Sequence, residues 1–229
     1  MKIGLLECDT VHPDLHSIGG NYRDMFPALL PALDFVNFKV CNGEFPGSAN
    51  DFDAWICTGS KFSVYDEVNW ILELKSFVKD VQDKNKHFIG VCFGHQLLAE
   101  ALGGRVQKGS VGWCVGVHTF ETVQTEQWME PCEGDFNLLM SCQDQVVEMP
   151  ENGIVLAKSA DCPVGMFRVG EKMLGIQGHP EFPVSYAAAL MDMRKERIGE
   201  PKVLAAKESF TKPVHSSSVA RWMLNFLGT

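Results

Sequence analysis

The chain has 229 residues, 45% of them hydrophobic, enough to bury one sizeable core without a split into two domains. Its formal net charge of −9 opposes affinity for phosphate backbones or anionic lipid surfaces, and no Lys/Arg cluster runs against that trend. A single domain over residues 1–229 is expected, with neither nucleic acid nor membrane as a partner.

The opening MKIGLLECDT carries too short an apolar run for a signal-peptide core, and no later stretch approaches the length of a membrane span. A cytoplasmic protein is expected. The eight cysteines, Cys132 among them, are spread without CxxC pairs, so they read as reduced thiols packed as small hydrophobes. Short apolar runs at 3–6, 35–40, 54–57, 88–91, 154–157 and 173–176 alternate with helical patterns. Such alternation predicts an α/β fold: an open, mainly parallel sheet with helices on both faces. The clearest helix is 66–84, with Trp70, Ile71, Leu74, Phe77, Val78 and Val81 on one stripe and Asp66 and Glu67 at its start. Segment 111–147, punctuated by Gly112, Gly116, Pro131 and Gly134, reads as an antiparallel ribbon and loop added to that core. After Pro183 the chain turns helical; Met191 to Arg197 reads as an amphipathic helix with a solvated face. Ser216 to Ser218 read as the N-cap of a terminal helix.

Three segments carry chemistry. In GVCFGHQ (90–96), Cys92 sits between two glycines where an apolar run meets a helical one. A sharp strand-to-helix turn presents a thiol at a helix N-terminus, where free N–H groups and the dipole favour a thiolate. In GIQGHPEF (175–182), Pro180 biases His179 toward extended backbone, so His179 and Glu181 project to one side as base and orienter. In CTGSKFSVYDE (57–67), the turn at Gly59 and Ser60 offers amides that, with that of Phe93, form an oxyanion hole, although plain turn chemistry fits the same residues. His95 reads as structural. His12, His16, His118 and His215 lack ligand spacing, so no metal site is expected, and no cofactor is called for.

With these segments in this order, the chain resembles the class I (triad-type) glutamine amidotransferase family, most nearly its stand-alone, GMP-synthase-amidotransferase-like branch. SVYDE at 63–67, GWCVG at 112–116 and SCQDQVVEMP at 141–150 add to the likeness. The resemblance implies a flavodoxin-like sheet and attack of Cys92 on a γ-glutamyl amide, with His179 and Glu181 completing a triad. It also implies substrate contacts from Gln96, Trp113, Cys142 and Asp144. As residue types alone, Trp113 also fits a packing anchor, and Cys142 and Asp144 fit a turn. Two positions depart from the pattern: Gly59-Ser60 where many relatives carry Gly-Gly, and Ser141-Cys142 where many carry Ser-His. No SGGxDS-type synthetase loop follows. Three versions stay open: release of ammonia from glutamine to a separate synthetase or acceptor subunit, hydrolysis of γ-glutamyl peptides or amines without an acceptor, and a non-catalytic binding protein on the same fold.

Overall fold

Side chains alternate between the two faces of a strand, and in the short apolar runs both faces are apolar. In β3 (Ala54–Cys57), Ala54 and Ile56 join one buried cluster with Ile3, Leu5, Ile89 and Val91, while Trp55 and Cys57 join another with Leu6 and Phe88. A sheet apolar on both faces must be covered twice. The computed structural model, which describes residues 1–131 and 134–229, shows how.

The strands are β1 (Lys2–Leu6), β2 (Asp34–Phe38), β3, β4 (His87–Val91), β5 (Arg105–Lys108), β6 (Cys114–Thr122), β7 (Phe136–Cys142), β8 (Asp144–Glu148), β9 (Gly153–Ser159), β10 (Cys162–Val169) and β11 (Met173–Ile176). The helices are α1 (His16–Gly19), α2 (Tyr22–Leu29), α3 (Asn69–Asp83), α4 (Phe93–Ala101), α5 (Val184–Met193), α6 (Lys195–Ile198), α7 (Glu200–Ser209) and α8 (Ser216–Leu227). Nine strands form one sheet in the order β2-β1-β3-β4-β11-β10-β9-β6-β7, and β5 pairs with β8 in a small antiparallel sheet. From β2 to β11 the pairs are parallel; from β11 onward they are antiparallel. Helices α3 and α4 cover one face through Ile71, Leu74, Val78, Leu97 and Leu98; α2, α5 and α8 cover the other through Phe26, Leu190, Trp222 and Met223. This is the expected α/β class, a large open sheet with helices on both faces and an antiparallel addition.

Four details differ from the sequence reading. The run 154–157, expected in the parallel core, lies in β9 and is antiparallel to both neighbours. Connection length decides its pairing with β10: β9 ends at Ser159 and β10 starts at Cys162, whereas parallel pairing would need a crossover of roughly a dozen residues. The helix expected from 66 starts at Asn69, because Asp66 closes a turn instead: its carboxylate accepts from the Ser63 N–H at 2.9 Å. Ser216 opens α8, with His215 rather than a serine at the N-cap position. The stretch 191–197 is broken at Arg194, between α5 and α6.

Cys8, Cys41, Cys57, Cys92, Cys114, Cys142 and Cys162 are free thiols, as expected; Cys132 lies outside the described residues. Among the described residues no helix is long and apolar enough to cross a membrane.

Candidate active site

Strand β4 ends at Val91, and Cys92 turns the chain into α4 with φ 53° and ψ −101°. A non-glycine residue at positive φ costs about 1–3 kcal/mol, so the surrounding packing must impose it. The two flanking glycines show that packing. A Cβ on Gly90 would lie 2.2 Å from the Gly94 carbonyl oxygen, and one on Gly94 would lie 2.5 Å from the Cys57 carbonyl oxygen. Strand and helix therefore approach backbone to backbone, and the Cys92 N–H is fixed on the Ile176 carbonyl at 2.8 Å.

The partner of Cys92 arrives from the next parallel strand. After β11 the chain continues extended, and the His179 N–H donates to the Leu139 carbonyl at 2.8 Å. His179 Nδ1 lies 2.8 Å from Glu181 Oε1, with both side chains buried, and Cys92 lies close enough to act on the ring electrostatically. Burial by itself would depress the imidazole, but the Glu181 carboxylate and Cys92 outweigh it and lift the ring to about 10. The ring stacks on Phe182 with centroids 3.8 Å apart and planes 6° from parallel. Phe182 in turn packs on Tyr186 and Tyr22.

Gly59, at the end of β3, closes the group. A Cβ there would lie 3.0 Å from His179 Cε1, 3.5 Å from the Tyr22 hydroxyl and 3.7 Å from Cys92 Cβ. A side chain at 59 would press on the imidazole, whereas serine at 60 is accommodated: its hydroxyl turns onto the Cys8 carbonyl at 2.8 Å and caps the Phe62 N–H at 3.2 Å. The Thr58 hydroxyl holds the Gly59 carbonyl at 3.0 Å. Phe93 packs its ring against Trp70, so what it offers the site is the amide at the start of α4, which has no intrahelical acceptor.

Cys92 opens on a cavity of about 130 Å³ whose wall includes Ser60, Gln96, Trp113, Cys142 and Asp144. Gln96 spends its amide N–H groups on the Asp144 carbonyl (2.7 Å) and Gln177 (3.1 Å), fixing the loop that begins β8. The Asp144 carboxylate accepts from the Ser63 hydroxyl at 2.5 Å and the Tyr65 hydroxyl at 2.9 Å. Burial pushes the Cys142 thiol well up, and neighbouring Cys92, Cys162 and Cys114 add to it, so Cys142 is a neutral wall group.

The family model described as Glutamine amidotransferase class-I matches residues 53–191, a stretch that contains Gly59, Cys92, His179 and Glu181. The chain belongs to that family. Among curated relatives, γ-glutamyl peptidase 4 of Arabidopsis thaliana is 35% identical over 172 residues, covering 71% of this chain and 68% of that protein. A glutamine amidotransferase-like protein of Schizosaccharomyces pombe is 31% identical over 237 residues, covering 96% of this chain and 90% of that one. Among solved structures, a glutamine amidotransferase from Thermotoga maritima superposes with a TM-score of 0.78 at 17% identity, covering 100% of this chain and 99% of the other. The chain is thus a class I glutamine amidotransferase-like enzyme.

Of the amidotransferase site residues expected from sequence, all those in the cavity wall come together around Cys92, and His179 with Glu181 stands behind it. His95, as expected, is core: it is fully buried against Phe167, and burial lowers it to about 3. Sequence reasoning missed Tyr22 and Phe182, which enclose the imidazole. It also missed the basic wall residues Lys61, Lys108, Arg194 and Arg197. Tyr22 follows a capping box made by Asn21 and Asp24, a signal that places a helix start but not a hydroxyl at a distant thiol.

Proposed function

We propose that the enzyme hydrolyses a γ-glutamyl amide through a Cys92, His179, Glu181 triad. The observation that carries this reading is the buried His179–Glu181 pair, Nδ1 to Oε1 at 2.8 Å, gathered with Cys92 around Gly59 at the end of the parallel strands, where open α/β sheets collect ligands. With the ring held protonated by Glu181, the sulfur attacks the amide carbon and a C–S bond forms. The carbonyl oxygen takes the negative charge facing the Phe93 amide and the 59–60 turn. As the C–N bond breaks, the imidazolium gives its proton to the departing amine, leaving a γ-glutamyl thioester and neutral His179. Water then loses a proton to His179 while attacking the thioester, the C–S bond breaks, and the thiolate–imidazolium pair is restored with free glutamate. Gln96 and Asp144 act here by shaping the wall, with Trp113 and Cys142 beside them.

Two amides fit the same chemistry. From glutamine the departing amine is ammonia, which a separate synthetase or acceptor subunit would use. From a γ-glutamyl peptide it is an amino acid or peptide, and the resemblance to γ-glutamyl peptidase 4 supports this version. Purified protein assayed for glutamate release from both, with Cys92→Ala beside it, tests the reading. Cys92-dependent release is expected. Release that survives Cys92→Ala, or none from either compound, would sink it.

A further inference from the structure

On a chain of net charge −9, the outer wall of the cavity is basic: Lys61, Lys108, Arg194 and Arg197 all face it. Lys61 is neutralised by Asp9 at 3.0 Å. Asp144, the one acidic side chain in the wall among the described residues, already accepts from two hydroxyls. Lys108, Arg194 and Arg197 make no ion pair among the described residues; Arg194 instead donates to the neutral Ser141 hydroxyl at 3.2 Å.

The two arginines share one aromatic neighbour. Their guanidinium carbons lie 6.0 Å (Arg194) and 5.6 Å (Arg197) from the centroid of the Trp113 ring. The break between α5 and α6 puts these residues, three apart, on the same side. Trp113 is itself tethered, since Lys202 of α7 donates to its carbonyl at 2.8 Å and also to that of Val111. A guanidinium held against an aromatic ring keeps N–H groups for a planar anion, the geometry in which arginine binds carboxylates. Three cations gathered around one small cavity repel one another, and an anionic ligand relieves that.

Glutamine is a poor match, because its single carboxylate is balanced by its own ammonium group. A γ-glutamyl peptide with a free C-terminus brings a second carboxylate, on the departing side of the amide that Cys92 would attack. Resting on the γ-glutamyl hydrolase reading above, we infer that Lys108, Arg194 and Arg197 form a carboxylate site for the leaving amino acid. By this site the enzyme selects free-acid γ-glutamyl peptides over both glutamine and γ-glutamyl peptides lacking that carboxylate.

The test compares kcat/KM for γ-glutamylglycine, its C-terminal amide γ-glutamylglycinamide, and glutamine. The free acid is expected to exceed the amide by about tenfold or more, and added salt narrows the gap. Arg197→Gln, alone and with Lys108→Gln, lowers kcat/KM for the acid more than for the amide and brings the ratio toward one; Arg197→Lys retains part of it. An acid-to-amide ratio near one in the unaltered enzyme would overturn the inference, as would a ratio unchanged in the double variant. If the variants lack a cooperative melt, the ratio in the unaltered enzyme decides alone. Failure of the hydrolase reading looks different: none of the three compounds is then cleaved in a Cys92-dependent manner.

Discussion

The parallel and antiparallel halves of the sheet contribute different things to one site. The parallel half, β1 to β4 and β11, supplies Gly59, Cys92 and, just beyond β11, His179 and Glu181. These groups are set by backbone, through a strained elbow, glycines that admit no Cβ and an extended segment bridged to β7. The antiparallel half, the small β5–β8 sheet and the helices packed beside them supply Trp113, Cys142, Asp144, Arg194 and Arg197, groups set by side-chain contacts across distant parts of the chain. The family match ends at 191, before Arg194 and Arg197. The backbone-set group and the side-chain-set wall thus meet at Cys92, and of these wall residues only Arg194 and Arg197 lie beyond the matched stretch.

If that division is right, changes in the parallel half alter rate or fold, whereas changes in the wall alter substrate preference. The largest effect is expected from Cys92→Ala, which removes the proposed nucleophile and should lower kcat by roughly 10³-fold or more with the melting transition retained. Steady-state glutamate release and a thermal melt on the same sample check both parts. Gly94→Ala should act on the fold instead. Its new methyl group meets the Cys57 carbonyl at 2.5 Å and Cys57 Cβ at 3.0 Å, backbone that cannot swing aside, and a loss of about 3 kcal/mol in denaturant unfolding is expected. A neutral result there would mean that strand and helix are not locked together at the elbow.

Glu181→Gln should cost on the order of 10²-fold in kcat/KM near neutral pH and also change its pH dependence. In the unaltered enzyme Glu181 and Cys92 hold the His179 ring near 10 against the opposing effect of burial. An imidazole raised above its unfolded value of about 6.5 stabilises the fold fully below that pH. The contribution is then lost as pH rises through the folded value. The protonated ring is also the acid for the leaving amine, so the alkaline limb of kcat/KM should lie near 10 and move toward neutrality in Glu181→Gln. An alkaline limb that stays in place would show that Glu181 does not hold the proton.

What could be read from sequence follows the same division. GVCFGHQ and GHPEF were legible because a thiol between glycines and an imidazole before proline are local backbone statements. Strand β10 was not, since Pro163 and Gly165 interrupt its pattern; Gly165 is needed there because the Phe120 ring occupies the place of its Cβ, with carbons 2.4 Å and 2.5 Å from it. Nor were Arg194 and Arg197, which in sequence are charges on a helical stretch; their orientation depends on a helix break and on Trp113 from another part of the chain. Tyr22 is hidden for the same reason, its hydroxyl meeting the site only after α2 has packed.

The smallest expected effect tests the elbow most directly. At φ 53° and ψ −101°, Cys92 occupies backbone space that glycine enters freely and residues with a Cβ do not. Cys92→Gly and Cys92→Ala both remove the sulfur, so they share the loss of activity and differ in the backbone. Glycine gives up more chain entropy on folding, about 0.4–1 kcal/mol, whereas relief of the strain returns about 1–3 kcal/mol. The net is a glycine variant more stable than the alanine variant by about 1 kcal/mol, or roughly 2–4 °C in Tm for a chain of this size. Were alanine the more stable of the two, the elbow would hold no strain, and the presentation of Cys92 would rest on the glycine-mediated approach of β4 and α4 alone.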